Sequence, residues 1–123
     1  MLRSVLVAVT CVASPLVWAA DISGFWKHVD EPGWIEIRLE EAKGIVVRND
    51  KYPERVGREL LQDLVADEAE DGVWRGQVYA EKLGEYKDAE ISLSQPDLME
   101  IKVKVGFISR TLVWKRVAEI PAS

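Results

Sequence analysis

This chain of 123 residues is short of cysteine and histidine, with one of each, and short of positive charge, with 16 Lys and Arg against 21 Asp and Glu. Each shortage excludes something. The lone cysteine, Cys11, lies in the N-terminal apolar stretch, so the rest of the chain can form no disulfide, thiolate metal site or redox pair. His28 has no histidine partner, and Asp30 and Glu31 beside it sit in a Glu-Pro-Gly turn, a poor arrangement for a metal. A Ser-His-Asp triad would have to use His28, yet none of Ser23, Ser92, Ser94, Ser109 and Ser123 has an activating context and no G-x-S-x-G elbow exists. An acidic chain is a poor partner for nucleic acid, whose binding rests on neutralising phosphates. No apolar run after residue 20 approaches the roughly 20 residues needed to span a bilayer. No catalytic site, metal or cofactor is expected.

The N-terminus is where the apolar residues concentrate. Met1–Arg3 carries one positive charge, Ser4–Leu16 is almost wholly apolar, and Val17-Trp18-Ala19 ends on small residues at positions −3 and −1 of a cut after Ala19. That is the layout of a cleavable signal peptide, too short to remain as a span. The expectation is a periplasmic or secreted protein: residues 1–19 removed, and residues 20–123 forming one domain without cysteine and with net charge −6.

Past residue 20, turn signals recur every eight to twelve residues, and the stretches between them alternate in polarity. Ile35, Ile37 and Leu39 fall on one face and Glu36, Arg38 and Glu40 on the other. Met99, Ile101, Val103 and Val105 oppose Glu100, Lys102 and Lys104 in the same way. A period of two marks half-buried strands. Strands are expected at Gly24–Val29, Trp34–Glu40, Ile45–Arg48, Gly72–Tyr79, Tyr86–Leu93, Leu98–Val105 and Phe107–Arg116. Glu54–Glu70 is ambiguous: Leu60, Leu61, Leu64 and Val65 fit one stripe of a short helix, yet Leu60-Leu61 also suits a strand. Seven or eight short strands in one all-β domain close into a barrel or stack as a sandwich, since open edges invite aggregation. Periodicity leaves both open.

Two groups of residues are candidates for a site. Trp26, Trp74 and Trp114 lie on the first, a middle and the last expected strand, and Arg116 lies two residues past Trp114. In a closed barrel the end strands are neighbours, so Arg116 could lie over an indole face. Trp26, Trp74, Tyr79, Trp114 and Arg116 are therefore candidates to line a ligand cavity or to plug the barrel. The second group is the polar loop of Asn49, Tyr52 and Arg55, with Asp50 and Arg58 nearby, a candidate recognition surface. The acidic run Asp67–Asp71 fails as a calcium loop, because Ala69 and Val78 occupy ligand positions three and twelve.

The stretch Gly72-Val73-Trp74-Arg75-Gly76-Gln77-Val78-Tyr79, with Gly84 and Tyr86 beyond it, resembles the domain-of-unknown-function 2147 family of small secreted bacterial proteins. The ending Val105–Arg116 is similar to it as well. So are the opening Asp21, Gly24 and Trp26 and the ordered set Asn49, Pro53, Arg55, Gly57, Leu60 and Leu61. Ala80-Glu81 departs from the Asp-Pro often found there, and the spacing from Gly84 to Tyr86 is short. The resemblance implies a lipocalin-like antiparallel up-and-down barrel of about eight strands with at most one short helix, and it implies no reaction. The first functional expectation is a non-catalytic binder of a small, largely apolar molecule. The other is an interaction module whose loops contact a protein or envelope component, with no internal ligand. Size weighs against the first, because Trp26, Trp74, Val78, Met99, Ile101 and Val103 could fill so shallow a barrel.

Overall fold

The computed structural model describes residues 21–122, so the expected signal peptide and Cys11 lie outside the described residues. Eight antiparallel strands follow one another around a closed barrel, each hydrogen-bonded to the next and β8 to β1. They are β1 (Gly24–His28), β2 (Gly33–Arg38), β3 (Lys43–Asn49), β4 (Glu59–Ala66), β5 (Val73–Ala80), β6 (Glu85–Gln95), β7 (Leu98–Val105) and β8 (Ile108–Val117). The described helical structure is limited to two 3-10 turns, Leu39–Glu41 and Pro53–Arg55. No helix among the described residues is long and apolar enough to cross a membrane.

Alternation dictates the inside of the barrel. On β7 Met99, Ile101 and Val103 are buried, while Lys102 and Lys104 are exposed. Its register with β8 runs unbroken from Leu98↔Lys115 to Val105↔Ile108. The ambiguous stretch Glu54–Glu70 becomes a 3-10 turn followed by strand β4, and its helix-like spacing has a cause. The pairing of β4 with β5 shifts register between Gln62 and Val65, and Asp63 takes a left-handed φ of 57°. The bulge turns Leu61 and Leu64 both inward, three positions apart, although the backbone is extended.

An up-and-down course gives the barrel two unlike ends. The β2–β3, β4–β5 and β6–β7 connections gather at one end, which is sealed. Ile22 and Trp26 are fully buried, as are Ile37, Met99 and Ile101, and each large apolar side chain so buried contributes roughly 1.5–3 kcal/mol. The connections at this end are acidic: Glu40 and Glu41 in the first, Asp67, Glu68, Glu70 and Asp71 in the second, Asp97 in the third, with no basic residue among them. The β1–β2, β3–β4, β5–β6 and β7–β8 connections gather at the other end, which is open.

Candidate functional site: a cavity at the open end

The sealed end holds the first pair of sequence candidates. The Arg116 guanidinium lies 4.4 Å from the Trp26 ring centroid. It donates to the carbonyls of Asp21 at 2.7 Å, Ser23 at 2.8 Å and Pro96 at 3.0 Å. Trp26 Nε1 donates to the Ile22 carbonyl at 2.9 Å. Burial pulls the Arg116 pKa below its ordinary value, with Asp21 and Asp97 opposing the shift. Trp26 and Arg116 thus fill this end of the barrel, and neither lines the cavity at the other end. Trp74, at the start of β5, is half-buried against the same core.

Above the plug the barrel is hollow. A cavity of about 450 Å³ opens between the strand ends. Ile35, Val46, Val78, Val103, Leu112 and Trp114 line its apolar walls. Of the six side chains expected to fill the interior, Trp26, Met99 and Ile101 pack below it, whereas Val78 and Val103 face it. Trp114 packs edge-on against His28, with centroids 4.9 Å apart, and its buried Nε1 has no hydrogen-bond partner among the described residues. His28 Nδ1 accepts the backbone N–H groups of Asp30 at 3.0 Å and Glu31 at 3.2 Å. That geometry leaves the ring proton on Nε2 and makes His28 the anchor of the β1–β2 turn. Among the described residues no group of three His, Cys, Asp or Glu side chains is placed to hold a metal.

Further polar groups stand at the mouth. Asn49 lines it while its Oδ1 accepts the N–H groups of Lys51 at 3.1 Å and Tyr52 at 2.6 Å, turning the chain out of β3. Arg55 also lines the mouth; its guanidinium stacks 3.8 Å from the Tyr52 ring centroid, and its Nε lies 3.6 Å from Glu81. Tyr52 backs Arg55 rather than facing the cavity. Glu81 also pairs with Arg58, which covers the Tyr79 ring at 4.8 Å. This bond to Glu81 pushes the Arg58 pKa up. Tyr79 in turn packs edge-on against Tyr86, whose hydroxyl donates to the Glu59 carbonyl at 2.7 Å. Burial, then the charge of Glu59, raises the Tyr86 pKa. Glu81 therefore clasps the β3–β4 loop to the β5–β6 hairpin beside the opening.

Sequence reasoning singled out neither Trp34 nor Glu81. Trp34 falls out of phase with Ile35 and Ile37, so alternation points it outward. The register shift between Trp34 and Ile35 leaves Val47 of β3 unpaired, while Trp34 stays in unbroken register with Lys27 of β1. Trp34 borders the cavity and is buried because Lys27 at 5.4 Å and Arg48 at 4.9 Å cover the indole. Two cations that become its direct partners on the neighbouring strands, Lys27 and Arg48, were the available signal. Fold and site together define a small barrel plugged at one end and hollow at the other. Comparison of the chain with models of known families, with curated proteins and with solved structures finds no match.

Proposed function

We propose that this chain is a non-catalytic binder of a small, largely apolar molecule, exported to the periplasm or beyond. In this reading it is a member of the domain-of-unknown-function 2147 family with a lipocalin-like barrel. The cavity carries the proposal. At about 450 Å³ it lies within the roughly 300–1,000 Å³ of ordinary small-molecule sites. Its walls are mainly apolar, with His28 and the unpartnered Trp114 Nε1–H among them, and Asn49 and Arg55 stand at the mouth, which suits a ligand with an apolar body and few polar groups. Binding such a body rests on removing apolar surface from water, and the sealed end supplies the rigid base.

The test is direct. Protein purified from its own host should carry added mass in native mass spectrometry, and stripped protein should brighten an environment-sensitive apolar fluorophore. Leu112→Trp places a larger ring in the hollow from a half-buried position. It should remove the added mass and weaken fluorophore binding about tenfold or more, while unfolding stays cooperative. Equal binding by the folded variant would overturn the reading.

A further inference from the structure

One edge of the open end carries features that a cavity does not need. The β5–β6 and β7–β8 hairpins end there side by side. Both tips are apolar: Leu83 on the first, Phe107 and Ile108 on the second, with Phe107 fully exposed and Ile108 at 65% exposure. Gly106, at a left-handed φ of 65°, makes the tight turn that thrusts Phe107 into solvent. Lys82, Lys104 and Arg110 flank the same tips, all exposed, and none has an ion-pair partner among the described residues. The acids of these hairpin ends are engaged, Glu81 by Arg55 and Arg58, and Glu85 by Lys87 at 2.7 Å. The free charge of this edge is therefore positive, on a chain of net charge −5; the connections at the opposite end carry acids only, of which Glu41 pairs with Arg38 and Lys43 and Asp67 with Arg75 on the adjoining strands.

We propose that this edge docks on a membrane surface carrying anionic lipid. Phe107, Ile108 and Leu83 enter the headgroup boundary, and Lys82, Lys104 and Arg110 meet the anionic headgroups. Exposed apolar side chains backed by Lys and Arg are the chemistry of interfacial binding, in which buried apolar area and attraction to anionic lipid add. The acidic connections of the far end, and the exposed Asp30, Glu31 and Glu54 on the other open-end connections, are repelled by the same surface, so the barrel rests on its β5–β6 and β7–β8 tips. Leu83, Ile108, Lys82 and Arg110 also line the cavity entrance, so docking sets that entrance against the lipid. A second copy of the chain suits the edge less well, because an isologous dimer would oppose two positive surfaces. Docking needs no ligand in the cavity and stands apart from the binding reading above.

Flotation with vesicles tests it, using protein purified from its own host and variants prepared identically. The parent should float with vesicles of phosphatidylcholine mixed with phosphatidylglycerol at low salt, less with pure phosphatidylcholine, and less again at high salt. Phe107→Ser/Ile108→Ser and, separately, Lys82→Glu/Lys104→Glu/Arg110→Glu should each cut partitioning about tenfold or more. These side chains are exposed, so melting temperatures should hold. Val65→Ser, an exposed apolar position on β4 beyond the bulge, should partition like the parent. So should Leu112→Trp, which fills the cavity without touching the edge. Equal partitioning by parent and edge variants overturns the proposal, as does failure of the parent to float. Loss of binding in Leu112→Trp overturns it too, by showing extraction of single lipids into the cavity. A dimer dispersed by Phe107→Ser, with no vesicle binding, would assign the edge to a second copy instead.

Discussion

Arg116 ties more of the structure together than any other single side chain. Its guanidinium ties β8 to two other segments, the stretch before β1 through the carbonyls of Asp21 and Ser23 and the β6–β7 turn through that of Pro96, and its flat face covers Trp26. Hydrogen bonds from a charged donor contribute about 1.5–3 kcal/mol each at most, and the cation–π contact about 0.5–2. The three bonds share one group and do not add fully. Arg116→Met should therefore destabilise by roughly 2–4 kcal/mol, lowering the melting temperature by about 10–20 °C. Arg116→Lys should recover only part of that loss, since an ammonium lacks the planar fork that reaches three carbonyls. Calorimetry of the three proteins checks this, and equal melting of Arg116→Met and parent would sink it. The presence of Trp26 and Arg116 on neighbouring strands was legible once the chain was read as a closed barrel, because the first and last strands must then pair. Their carbonyl partners were not legible: Asp21 and Ser23 precede β1, where no periodicity speaks.

At the scale of elements, period-two alternation made seven strands legible to within two or three residues at each end. It failed where the strand itself is irregular. On β4 the bulge at Asp63 breaks the phase, and the resulting spacing of Leu61 and Leu64 imitates a helix. On β3 Val47 is left unpaired opposite the Trp34/Ile35 step, so Arg48 and not Val47 pairs with Trp34. The β4 bulge is matched from the other side by Gly76 on β5. A Cβ there would sit 2.8 Å from the Gln62 carbonyl oxygen, 3.0 Å from Leu64 Cδ2 and 3.3 Å from the Asp63 carbonyl oxygen. The nearest of these atoms belongs to backbone and cannot swing aside. Gly76→Ala should cost roughly 1–3 kcal/mol in urea unfolding. The left-handed φ of Asp63 sets a second order: Asp63→Gly should be close to neutral, and the β-branched Asp63→Val should lose about 1–3 kcal/mol. If Val matches Gly at position 63, the bulge is not the constraint described.

Seen whole, the barrel divides its labour along its axis, and its length did not announce this. From the sequence, Trp26, Trp74, Val78, Met99, Ile101 and Val103 suggested that eight short strands could be filled solid. Instead Trp26, Met99 and Ile101 concentrate in the sealed half and leave the other half hollow, an outcome of strand tilt and bulges that no composition encodes. Closure around the circumference is uneven as well. β5 and β6 pair without a break from Val73↔Ser92 to Ala80↔Glu85. β3 and β4 share only Gly44↔Leu61 and Ile45↔Glu59, across a register shift. Their seam is completed by irregular bonds, from Val46 N–H to the Arg58 carbonyl at 2.9 Å and from Gly57 N–H to the Val46 carbonyl at 2.8 Å. A closed barrel opens first where its ladder is thinnest, and that seam borders the cavity mouth. The Glu81 clasp is what holds the loop beside it, through ion pairs with Arg55 and Arg58 that are partly exposed. Exposed pairs contribute about 0–1 kcal/mol, so Glu81→Gln should speed exchange of the Val46 and Gly57 amides by up to about fivefold. Amides of the β7–β8 ladder should be unchanged. Hydrogen exchange followed residue by residue distinguishes this local opening from global unfolding: uniform acceleration around all eight strands would show that the seam and the rest of the barrel open together.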